Sequence, residues 1–94
     1  MKAITADWLS SAKTDIETID AILGNLNLTA VVAFHAQQCV EKCLKSLLEE
    51  FDIDVQKTHN LLTLKAAVER KQPINLDEDT LSLLNKLYIS SRYP

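Results

Sequence analysis

Between Thr29 and Phe51 the chain runs 23 residues without a Gly or a Pro. Apolar side chains recur through it at Val32, Ala36, Cys39, Val40, Cys43, Leu44, Leu47 and Phe51. Their spacing follows the three-and-four rhythm of an α-helix, not the alternation of a strand. A face this broad needs more than one neighbour, so the stretch predicts a central helix packed among several others. The small residues Ala30, Ala33 and Ala36 at its start would let a neighbour approach closely.

The rest of the chain must supply those neighbours. With one Gly and two Pro in 94 residues, few tight turns are available, which argues against a sheet-rich domain. A first helix is predicted over 6–23, capped by Thr5 with Asp7 in its first turn. Its inward stripe is Trp8, Ala12, Ile16, Ile19 and Leu23, and Gly24-Asn25 ends it. A third helix is predicted over 59–71, capped by Thr58, with Leu61, Leu64 and Val68 inward and Pro73 closing it. Asp77 should cap a fourth, with Leu81, Leu84, Leu87 and Tyr88 inward. The expected fold is all-α, an up-and-down antiparallel bundle of four helices forming a single domain over 1–94. A five-helix bundle lacking its last helix is the alternative.

Charge and cysteine usage narrow the function classes. The formal net charge of −3 argues against a wide basic nucleic-acid surface, while leaving room for a local basic patch. No apolar run approaches the roughly 20 residues needed to span a bilayer. The N-terminal stretch has no apolar signal core, so a cytoplasmic location away from membranes is expected. Cys39 and Cys43 lie four apart on one helix face, a poor arrangement for a disulfide. Two thiols also fall short of a zinc site. They are expected to be buried and reduced, and no cofactor or metal is expected.

Three polar stretches stand out. On a helical wheel Phe34, Gln38, Glu41 and Lys45 share a narrow sector opposite the apolar face of the second helix, with Lys42 and His35 to one side and Gln37 and Leu48 to the other. Glu41 before Lys45 is the favourable order for an i,i+4 ion pair. Taken alone, this row reads as a solvated face with one surface pair; Phe34 and Leu48 bracket it as they would a partly covered groove or a dimer contact. In "QKTHNL", residues 56–61, Lys57, Thr58 and His59 meet at a helix start, where free N–H groups receive anions. Antiparallel packing would bring Lys45, Lys57 and His59 to one pocket edge. In "SRYP" Arg92 could grip a phosphate and Tyr93 could stack on a base, although a cation also suits a helix end. No nucleophile elbow, Gly-rich phosphate loop, paired metal carboxylates or His-x-x-x-His spacing occurs, so sequence signatures support enzyme chemistry only weakly.

In combination, "ADWLSSAKTDI", "FHAQQCVEKCLKSLL", "KTHNL" and "RYP" resemble the HEPN domain family in order and approximate spacing, over nearly the whole chain. The resemblance implies a helical bundle of four or five helices, often a dimer, with nucleotide or RNA as ligand. It also implies a minimal nucleotidyltransferase as partner in a toxin–antitoxin-type pair. Several branches of that family are metal-independent ribonucleases, marked by Arg, four to six residues, then His. Here the positions after Arg70 hold Asn75, Leu76 and Asp77, and only two residues follow Arg92. The ribonuclease signature is therefore absent from these residues, and no catalytic residue is assigned. What the resemblance implies as ligand-binding residues is Gln38, Glu41, Lys42, Lys45, Lys57, His59, Arg92 and Tyr93.

Overall fold

The computed structural model describes residues 1–92; Tyr93 and Pro94, and with them the stacking role expected of Tyr93, lie outside the described residues. Four helices follow one another: α1 (Ala3–Ile22), α2 (Thr29–Glu50), α3 (Leu61–Val68) and α4 (Glu78–Arg92). A 3-10 turn, Leu26–Leu28, precedes α2. The described residues contain no strand, and the fold is the all-α bundle expected. As its periodicity predicts, α2 is the hub: α1, α3 and α4 all pack against it.

The helix ends show where local rules gave way to tertiary ones. Thr5 does not cap α1; it is buried inside the helix, and its Oγ1 donates to Glu50 Oε1 at 2.9 Å. The cap comes from the far end of α2. Lys2 N donates to Glu50 Oε1 at 3.0 Å, and Lys2 Nζ donates to Glu49 O at 2.9 Å and pairs with Asp52. The positive end of one helix thus meets an acid, and the negative end of the other meets a cation, so both dipoles are compensated at once. The backbone N–H of Lys2, with the Thr5 hydroxyl, holds the Glu50 carboxyl below its ordinary range.

Helix α2 closes in a Schellman turn: Ile53 N donates to Leu48 O and Asp52 N to Glu49 O. Asp52 occupies the left-handed position at φ 57°, one that Asp tolerates better than most side chains. Helix α3 starts two residues later than predicted because Asn60, not Thr58, caps it, accepting from Leu62 N and Thr63 N, and it ends at Val68, three residues short of the predicted end. Asn85 of α4 adds a second cap by accepting from Leu61 N at 3.0 Å. Asp77 caps α4 as expected, accepting from Thr80 N.

The core gathers where α2, α3 and α4 converge, around Leu44, Leu48, Leu61, Leu64, Val68 and Leu81. Truncating a fully buried leucine such as Leu48 to Ala would cost about 2–5 kcal/mol. Helix α1 has α2 as its main neighbour, so its buried strip is narrow: Thr5, Ala12 and Asp15 are buried, while Ile16 and Leu23, expected inward, are 49% and 61% exposed. Leu87 of α4, also expected inward, is exposed.

Helix α1 ends at Ile22, just before Gly24-Asn25 as expected, although Gly24 takes no left-handed φ. A Cβ added there would meet nothing within 4 Å. Gly24→Ala should therefore raise stability by about 0.4–1 kcal/mol through the unfolded chain, seen as a higher midpoint in thermal denaturation.

Candidate functional site

The polar row of α2 faces inward. Glu41 is 3% exposed and Lys45 8%, Gln38 is half-buried and the flanking Gln37 is fully buried, so the solvated surface read from the wheel does not exist. A wheel shows one helix only; here α1 brings Trp8 against Lys45, and the segment before α3 brings His59 against Glu41. The apolar stripe expected to meet several helices and to bury both cysteines is the half-open side: Cys39, Val40, Cys43 and Leu47 are each only partly buried.

The Glu41 carboxylate organises this interior. Its Oε2 accepts from Lys45 Nζ at 3.0 Å. Its Oε1 accepts from Gln37 Nε2 at 3.1 Å and Gln38 Nε2 at 3.3 Å, and lies 2.9 Å from His59 Nδ1. Gln37 Nε2 also donates to His59 O at 2.8 Å, pinning the backbone of the connection into α3. Burial pushes the Glu41 pKa up, but the hydrogen bonds from Lys45, His59 and Gln37 outweigh it and hold the group below its ordinary value. An ionised carboxylate only accepts, so the proton of a neutral His59 sits on Nδ1 and leaves Nε2 for a ligand. The His59 side chain is 55% exposed.

From His59 the site continues as a row of rings. Tyr88 of α4 lies 5.2 Å from the His59 ring and stacks at 5.7 Å on Phe34. The Arg92 guanidinium sits 5.2 Å from the Tyr88 centroid, and its Nη1 donates to Tyr88 Oη at 3.2 Å. A shallow cleft of about 240 Å³ opens between His59, Asn60, Asn85, Tyr88 and Ile89.

Of the residues singled out from sequence, Gln38, Glu41, Lys45 and His59 form one cluster, and Arg92 joins it through Tyr88. Lys42 does not; it points to the α1 side, where its Nζ donates to Asp15 Oδ2 at 2.8 Å and His35 Nδ1 lies 2.8 Å from Asp15 Oδ1. Lys57 is exposed and joins neither cluster among the described residues. Sequence reasoning missed Asp15, Gln37 and Tyr88 as site-builders. Asp15 left one trace: it stands at helical spacing from Ala12 and Ile19, an acid within a buried strip. Among the described residues no group of three or more His, Cys, Asp or Glu side chains could hold a metal, and no helix is long and apolar enough to cross a membrane.

A family model, the HEPN domain, matches residues 5–94. The chain belongs to the HEPN family. Searches of the curated proteins and of the solved structures find no match. Within this HEPN domain the "AQQ" stretch of α2 supplies the interior glutamines, and "KTH" supplies the imidazole that Glu41 orients.

The depressed Glu41 pKa sets an acid limit on stability. A group whose pKa is lowered on folding contributes fully above its unfolded value, near 4.5, and loses that contribution as the pH falls through its folded value. Glu41→Gln should therefore flatten the acid limb of a stability-versus-pH curve below about pH 5. Glu41→Ala, which strands Lys45, should cost about 3–5 kcal/mol in urea denaturation at pH 7.

Proposed function

We propose that this HEPN domain binds nucleotide or RNA on the surface shared by His59, Tyr88 and Arg92. The observation that supports this is the placement of a half-exposed imidazole, oriented by a buried carboxylate, against a tyrosine ring that also carries a guanidinium. Arg92 offers a fork for a phosphate, His59 a nitrogen for a phosphate or hydroxyl, and the adjoining cleft an edge for a base or sugar. Exposed Lys57, two residues before His59 in the chain, adds a further positive charge. The deeper members, Gln37, Gln38, Glu41 and Lys45, brace His59 and do not touch ligand. An acidic chain with a local basic rim suits a nucleotide or short RNA better than a long duplex.

The domain works as a homodimer in the cytoplasm, non-catalytic by itself, paired with a minimal nucleotidyltransferase in a toxin–antitoxin-type arrangement. A dimer is supported by Leu83 and Leu87 of α4, 55% and 38% exposed, with Leu87 beside a hollow that Ala30 and Ala33 help to line. Such an apolar and small-residue surface suits a second helix. A ribonuclease reading rests on one contact, Glu41 to His59 Nδ1, which is how enzymes orient a basic imidazole.

Calorimetric titration with nucleotides and short RNA tests the binding. His59→Ala and Arg92→Ala should each weaken it by about tenfold or more, as expected for loss of one charge-assisted contact; no binding at millimolar nucleotide and low salt would refute it. RNA cleavage by the native protein that disappears in His59→Ala would favour the ribonuclease reading. For the dimer, Leu87→Arg should shift sedimentation from dimer to monomer without loss of helicity.

A further inference from the structure

One feature lies away from that site. On the opposite flank of α2 a groove of about 380 Å³ runs between the helix and the segment 74–76 that leads into α4. Cys39 and Cys43 lie on α2 together with Val40 and Leu47, while Ile74 and Leu76 come from the connection. Its lining is almost wholly apolar. The two cysteines stand on consecutive turns of one helix and both border this opening, neither fully covered. Four residues apart on the helix, the two side chains follow one another along the same wall of the groove.

We propose that Cys39 and Cys43 form a two-thiol chelating site for a trivalent, thiol-seeking centre that carries an apolar group, of the aryl arsenical class. A direct disulfide would draw the sulfurs together against the helix backbone. A single bridging atom bonded to both sulfurs leaves the helix intact, and the apolar substituent lies in the groove against Ile74 and Leu76. In the step, two arsenic–sulfur bonds form and two arsenic–oxygen bonds of the hydrated arsenical, RAs(OH)₂, break. The two thiol protons leave in two molecules of water, and no atom is oxidised or reduced. Two metal-binding thiols alone do not complete a zinc shell, which sets the site apart from a structural zinc centre.

Both thiols are held protonated at neutral pH. Burial, then the neighbouring Cys43, pushes Cys39 up to about 11, and burial raises Cys43 as well. Reagents that need a single thiolate should therefore react slowly, whereas a chelating centre gains from the second sulfur one turn away.

Titration of the folded protein with phenylarsine oxide, followed by native mass spectrometry, tests the site. The expected result is one phenylarsenic per chain, resistant to excess glutathione and released by dimercaptopropanol. Cys39→Ser and Cys43→Ser should each weaken binding by about 100-fold or more, the loss of the intramolecular second contact. Leu76→Asp, at an exposed wall position, should weaken phenylarsine oxide but leave inorganic arsenite unchanged. Equal binding by a single-cysteine variant, an adduct that forms only with loss of helical circular dichroism, or no adduct at all would overturn the proposal.

Discussion

One buried carboxylate decides how this bundle is put together. Glu41 sits in the middle of the central helix with almost no access to water, and a lone ion there would be prohibitively costly. Its oxygens are instead satisfied from Lys45, Gln37, Gln38 and His59. Those partners fix more than a charge. Lys45 also lies over the Trp8 ring, which binds α1 to the same point, and Gln37 holds the main chain at His59, which sets where α3 begins. The network is fully satisfied: among the described residues no buried side-chain nitrogen or oxygen lacks a partner. Closed polar networks of this kind specify one packing among many that apolar contact alone would allow.

The arrangement inverts the usual economy of an amphipathic helix. The polar row of α2 lies in the interior, and part of its apolar stripe borders an open groove. Neighbours on both flanks make this possible. Helix α1 comes in on the side of Asp15, His35 and Lys42, and the chain around His59 and Tyr88 on the side of Glu41. Two acids, each holding one histidine and one lysine, therefore lie on the two sides of a single helix. Between the two imidazoles run Phe34 and Tyr88, so an aromatic row links the acid-held clusters.

Periodicity was enough to read the all-α fold, the central role of residues 29–51 and the order of the four helices, because each depends on local spacing. The residues of "AQQ–EK", "KTH" and "RYP" could be named together only through their resemblance to a family. Their geometry was not legible. Whether Glu41 faces water depends on what Trp8 and His59 do many residues away, and no wheel contains that information. The same holds for Thr5, whose hydroxyl suits a cap but serves Glu50, and for Lys42, which adjoins Glu41 in sequence yet answers to Asp15. Where a long-range partner outcompetes a local one, sequence spacing names the residue and misassigns its contact.

The reciprocal latch at Lys2 and Glu50 has a consequence for motion. Helix α1 lies along α2 as its main neighbour, and polar clasps fasten it there: Lys2 with Glu49, Glu50 and Asp52 at one end, Trp8 with Glu49 and Lys45, and Asp15 with His35 and Lys42 further along. The leucine core is built by the other three helices and holds no residue of α1. The latch makes Lys2 a structural anchor: one residue joins the start of the first helix to the end of the second, so displacing it would free both helix ends at once.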